Sequence, residues 1–144
     1  MYEILYFNNS NQVIRDKKMN RSIKEILDYL NDCLQGTRYK GEIMRQALKE
    51  MDWRQDTKIL EGRRYNYKGF KNRVALDGSF SSYEYIQDAL LRLQIGYDKK
   101  KIDVGLVMVT SQRSEKSKLG TTKQLVAKEM EMLHPTINLP IAVV

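Results

Sequence analysis

The chain has 144 residues, 42% of them hydrophobic and 30% charged, and carries a net charge of +7 at pH 7. That length fits one domain with one buried core, and the composition excludes a disordered polymer. No run approaches the roughly 18 apolar residues of a membrane span, and Met1 to Phe7 lack the basic start and cleavage site of a signal peptide, so the expected location is the cytoplasm.

Residues 1–7 alternate loosely through Tyr2, Ile4 and Tyr6 and predict an opening strand, followed by a polar turn over Asn8 to Asn11. From Ser22 the apolar positions Ile23, Ile26, Leu27, Leu30 and Leu34 keep helical spacing, with Ser22 as N-cap and Gly36 as stop. Cys33 can form no internal disulfide and reads as a small core residue of this helix. A shorter helix is expected from about Gly41 to Met51, with Trp53 closing the core at its end. Residues 54–66 read as a hairpin or irregular strand pair.

Val74 and Leu76 mark a strand, and Ser81 to Glu84 fits a capping box at the start of the next helix. That helix carries Ile86, Ala89, Leu90, Leu93 and Tyr97 on one face and is expected to end at Gly96 and the lysines 99–101. Ile102 to Val109 is almost wholly apolar, as in a strand covered on both faces. A strand, helix and strand of this length predict a parallel pair with a right-handed crossover. A basic loop over 111–122 leads into a helix running to about Leu133, stopped by His134 and Pro135. Leu139 to Val144 begins a last buried strand that stops abruptly, which leaves open whether a few residues are missing after it. No internal repeat or linker divides the chain.

The positive charge is segregated. Residues 53–73 hold seven Lys and Arg against two acids, residues 111–128 hold five against one, and the rest of the chain is slightly acidic. Such clustering suits a polyanion, although a solvated basic surface has the same appearance. One Cys and one His exclude an ordinary zinc site, and no glycine-rich phosphate loop is present. His134 reads as a helix-end or solvent-facing residue. Carboxylates and lysines remain as the possible chemical groups.

The stretch Lys71 to Phe80 resembles the catalytic strand of type II restriction endonucleases of the BglII/BstYI group, and Lys101 to Val107 resembles a second strand of that group. Ala47 to Trp53 and Leu139 to Val144 extend the likeness, which covers most of residues 43–144. The resemblance implies an α/β fold with a restriction-endonuclease-like PD-(D/E)XK core, a mixed central sheet flanked by helices. It also implies Mg²⁺-dependent phosphodiester hydrolysis by a homodimer on palindromic double-stranded DNA. Its catalytic positions fall on Lys68, Asp77 and Ser79, with Asp77 the metal ligand. The group has Asp at the first, Glu at the second, and Glu or Gln at the third. Gly78 stands where the group has a branched apolar residue.

One carboxylate and a hydroxyl offer little charge to hold Mg²⁺. Lys68 would bring a positive charge to the place of the metal, while Glu61, Asn66 or Glu84 are conceivable displaced ligands. Asp103 reads as an anchor at a strand start or a partner of a nearby Lys or Arg. Tyr65 and Tyr67 stack on bases or pack the strand's outer face. The base-reading loop of the group falls on Arg113, Lys116, Ser117, Lys118, Thr121 and Lys123, with Lys71 and Arg73 near the DNA backbone. These residues lead to a DNA-binding protein on a nuclease scaffold with degraded catalysis. The competing expectations are an active endonuclease with a rearranged site and a non-catalytic subunit or inhibitor pairing with a nuclease partner protein.

Overall fold

The computed structural model describes residues 4–34, 40–59, 66–78, 86–108 and 122–144. Among the described residues five strands, β1 (Leu5–Phe7), β2 (Gly69–Lys71), β3 (Val74–Gly78), β4 (Val104–Met108) and β5 (Ile141–Val143), form one sheet in the order β1-β5-β4-β3-β2. Its three inner strands, β3, β4 and β5, run parallel, and the two edge strands are antiparallel to their neighbours. The helices among the described residues are α1 (Ser10–Asp16), α2 (Asn20–Leu34), α3 (Lys40–Glu50), α4 (Ile86–Asp98) and α5 (Thr122–Leu133).

Strand alternation divides the core into two halves. Val74, Leu76, Val104, Leu106, Met108, Ala142 and Val144 point to one face, where they pack with Ile26, Leu27 and Leu30 of α2 and Ala47 and Leu48 of α3. Ala75, Val107, Ile141 and Val143 point to the other, against Ala89, Leu90 and Leu93 of α4 and Val126 and Met130 of α5. The inner strands therefore carry apolar side chains on both faces, as a parallel sheet between helix layers requires. No helix among the described residues is long and apolar enough to cross a membrane.

Several sequence expectations shift in detail. The expected polar turn shrinks to Asn8 and Asn9, both at positive φ, because α1 begins at Ser10. Ser22 lies inside the first turn of α2 rather than before it. Trp53 is buried at the end of α3, its amide donating to the Leu48 carbonyl at 2.8 Å. Of the expected pair over 54–66, residues 60–65 lie outside the described residues, and those described form isolated antiparallel bridges, Arg54 with Phe70 and Lys58 with Asn66. Residue 36 and the capping box at 81–84 lie outside the described residues.

Gly96 does not end α4. It sits inside the helix, where an added Cβ would stand against the Tyr67 hydroxyl. The glycine lets the Tyr67 ring approach the helix backbone, and α4 runs on to Asp98.

An unforeseen hairpin joins β2 to β3. Lys71 pairs with Val74, so the connection is two residues, Asn72 and Arg73, with φ of 49° and 63°. Two successive left-handed residues make the type I′ turn that matches strand twist. Arg73 is an unusual occupant of that conformation, and its surroundings account for it. Its carbonyl accepts the Asp103 amide at 2.8 Å. Its guanidinium reaches the Asp103 carboxylate at 3.0 Å and the Lys100 carbonyl at 2.6 Å. Lys17, at the end of α1, meets the same carboxylate at 2.7 Å. Asp103 is thus the anchor its position suggested.

Candidate active site

Asp77 is the next-to-last residue of β3 and its side chain lies on the α4 face of the sheet. It is 1% exposed. A carboxylate removed from water must find charged or hydrogen-bonding partners, since the effective penalty for leaving it alone is several kcal/mol. It finds them in Arg92 and Gly78. Arg92 Nε donates to Oδ2 at 2.7 Å and Nη2 to Oδ1 at 3.3 Å, while the Gly78 amide donates to Oδ1 at 2.8 Å. Both carboxylate oxygens are therefore occupied by fixed donors in the two-pronged geometry that suits arginine.

Arg92 is one-third exposed, so its guanidinium bridges the buried carboxylate and the surface. Burial works against its charge, but the Asp77 hydrogen bonds and charge, with smaller help from Asp88 and Tyr67, hold its pKa above the ordinary arginine value. Tyr67 closes the inner side of the site. Its hydroxyl donates to the Arg92 carbonyl at 3.1 Å, and burial, reinforced by the Asp77 charge against the opposing effect of Arg92, pushes its pKa up to about 12. Tyr67 therefore packs in the core rather than standing out as a stacking platform, the outcome that its alternation left open.

Lys68 relates to Asp77 differently from the sequence expectation. Gly69 pairs with Leu76, so the register continued by one step sets Lys68 opposite Asp77. Lys68 is exposed, however, and the cation in contact with the carboxylate is Arg92. Sequence reasoning missed Arg92. Its one visible signal is that it is the only basic residue of α4, the helix that crosses between β3 and β4.

Gly78 has φ +86°, and a Cβ there would lie 2.6 Å from the Met108 carbonyl oxygen. Only glycine fits. The alternation that would put Ser79 on the same face as Asp77 assumes an extended residue between them, and Gly78 is not extended. Ser79 itself lies outside the described residues, as do Glu61, Tyr65, Glu84, Arg113, Lys116, Ser117, Lys118 and Thr121. Lys123 falls within α5, with its side chain not described. Lys71 and Arg73 are at the opposite end of β3 from Asp77. Lys71 donates to the Met51 carbonyl at 3.1 Å, and Arg73 is engaged with Asp103.

Asp77 stands at the carboxyl end of a parallel strand, the edge at which open α/β sheets bind ligands. Gly78 pairs with Met108, the last residue of β4, at the same edge. A divalent ion would need several oxygen donors here. Among the described residues no group of three or more His, Cys, Asp or Glu side chains gathers to provide them, and Asp77 already faces a guanidinium. The described donor set does not fit Mg²⁺.

The comparisons with known proteins agree with this architecture. The crystal structure of the restriction endonuclease BglII complexed with a DNA 16-mer superposes with a TM-score of 0.75 at 13% identity, over 99% of this chain and 75% of that one. The structure of free BglII gives 0.61 at 13% identity, over 99% and 78%. No curated protein sequence matches the chain. The family model for restriction endonuclease BglII/BglIII matches residues 2–144. A match that spans all but the first residue, on a sheet of the same fold, makes this chain a member of the BglII/BglIII restriction endonuclease family.

Proposed function

We infer that the protein is a DNA-binding member of this family in which metal-dependent hydrolysis is strongly reduced or lost. The observation that carries this is the Asp77–Arg92 pair. Phosphodiester hydrolysis in a site of this kind relies on carboxylates that hold an ion beside the phosphate and generate a nucleophilic hydroxide. Arg92 supplies positive charge but cannot generate that hydroxide, and it occupies the one carboxylate the strand offers. DNA as the partner is supported by the +7 net charge, by its concentration in residues 53–73 and 111–128, and by the DNA complex of BglII. Lys116 and Lys118 of the basic segment and Lys123 at the start of α5 are the proposed contacts, on two copies of the chain acting as a homodimer. Lys71 and Arg73 contribute to the field of the surface rather than to direct contacts.

Two assays test the proposal together. Fluorescence anisotropy with duplex DNA should show binding that weakens steeply with added salt, and less steeply after Lys118→Ala and Lys123→Ala. Incubation of the same DNA with Mg²⁺ or Mn²⁺ should leave it uncut. No duplex binding at low salt defeats the DNA-binding part. Cutting that Asp77→Ala abolishes defeats the loss of hydrolysis and establishes the rearranged endonuclease instead.

A further inference from the structure

We propose that Arg92 is the resident cation of this site and binds a phosphate oxygen of the DNA backbone there, so that engagement of duplex at the Asp77 edge needs no divalent ion. The proposal rests on the DNA-binding reading above and adds how the phosphate is held. Arg92 commits Nε and Nη2 to Asp77, and its Nη1 has no partner among the described residues. The Arg92 side chain is one-third exposed while its anchor is buried, so the arginine joins the buried carboxylate to solvent. Asp77 and the Gly78 amide fix the plane of the fork before any ligand arrives, which lowers the ordering cost of a charge-assisted contact.

Charge bookkeeping points the same way. A bare carboxylate cluster repels phosphate until a metal ion neutralises it. Here Asp77 is neutralised internally by Arg92, and Asp88, one turn back on α4, lies near enough to Arg92 to help hold its positive charge. Among the described residues, the carboxylate at this edge is already paired with a fixed cation rather than left for an ion to neutralise.

The test is duplex affinity with and without a divalent ion. A fluorescent random-sequence duplex is titrated with the full chain at low salt, once in EDTA and once in Ca²⁺, at matched ionic strength. The proposal expects equal affinities within about twofold. It expects Arg92→Gln to weaken binding in EDTA by roughly tenfold, the scale of one charge-assisted contact. It also expects Ca²⁺ to restore part of that loss, because the substitution frees the Asp77 carboxylate. Circular dichroism verifies that the variant is folded, and the wild-type comparison stands without any variant. Binding by the wild type that tightens tenfold or more in Ca²⁺ overturns the proposal and leaves the DNA-binding reading intact. So does an Arg92→Gln protein, verified as folded, that binds like wild type. Absence of wild-type binding in both buffers overturns the two together.

Discussion

Arg92 on α4 and Asp77 on β3 meet across the sheet–helix interface, with Nε 2.7 Å from a carboxylate oxygen that solvent barely reaches. Removing one member of a buried pair leaves the other charge stranded, at a cost of about 3 kcal/mol, whereas replacing both by apolar groups of similar volume is often neutral. Arg92→Met should therefore destabilise the fold by roughly 2–3 kcal/mol, somewhat softened by its partial exposure. Asp77→Leu combined with Arg92→Met should recover most of that loss. Urea denaturation of the two singles and the double checks it. Additive losses would mean that the pair is not coupled.

Gly78 is fixed by both its φ and its surroundings. Gly78→Ala forces a left-handed alanine and a Cβ against the Met108 carbonyl, and should cost about 3 kcal/mol or more. A midpoint in urea close to wild type would show that β3 ends differently.

Tyr67 and Gly96 form a lock under Arg92. Gly96→Ala should lower stability by about 2 kcal/mol, because the methyl needs the space of the buried Tyr67 hydroxyl. In a Tyr67→Phe background the same change should be near neutral, since the hydroxyl is gone and alanine is favoured over glycine in a helix by about 1 kcal/mol. Thermal melts of the four proteins read the coupling directly.

Asp103 gives the molecule a predictable acid response. Its hydrogen bond with Arg73, aided by Lys17 and opposed by partial burial, holds its pKa below the usual 3.8. A depressed folded value means that the contribution is complete above the ordinary aspartate pKa and fades as pH falls through the depressed one. Wild type should exceed Asp103→Asn by about 1 kcal/mol at neutral pH, a modest figure because the carboxylate is partly solvated and screened. That margin should close in acid below the ordinary value. A margin that grows as pH falls would contradict the assignment.

The crossover at the centre of the fold was legible because its two signals are strong. Ile102 to Met108 is apolar but for Asp103, and Ala89, Leu90 and Leu93 repeat at helical spacing. The two motifs that carried the resemblance turn out to be physically joined, since Arg73 of one holds Asp103 of the other. The hairpin before β3 was hidden by its turn, which uses Asn72 and Arg73 where a type I′ connection ordinarily advertises itself with glycine. Helix α1 was hidden by its brevity, with Ile14 its one buried large apolar residue. Asp77 was singled out because it falls on the strand position to which the resemblance assigns a carboxylate. Arg92 was not, because helical spacing shows which side chains share a face but not which strand residue lies opposite.

The decisive measurement is a crystal structure of the protein with duplex DNA and Mn²⁺, using anomalous scattering to locate the ion. The account predicts Arg92 still clasping Asp77, with a phosphate on its outward face and no Mn²⁺ at ligand distance from that carboxylate. An anomalous peak coordinated by Asp77, with Arg92 turned away, would contradict it.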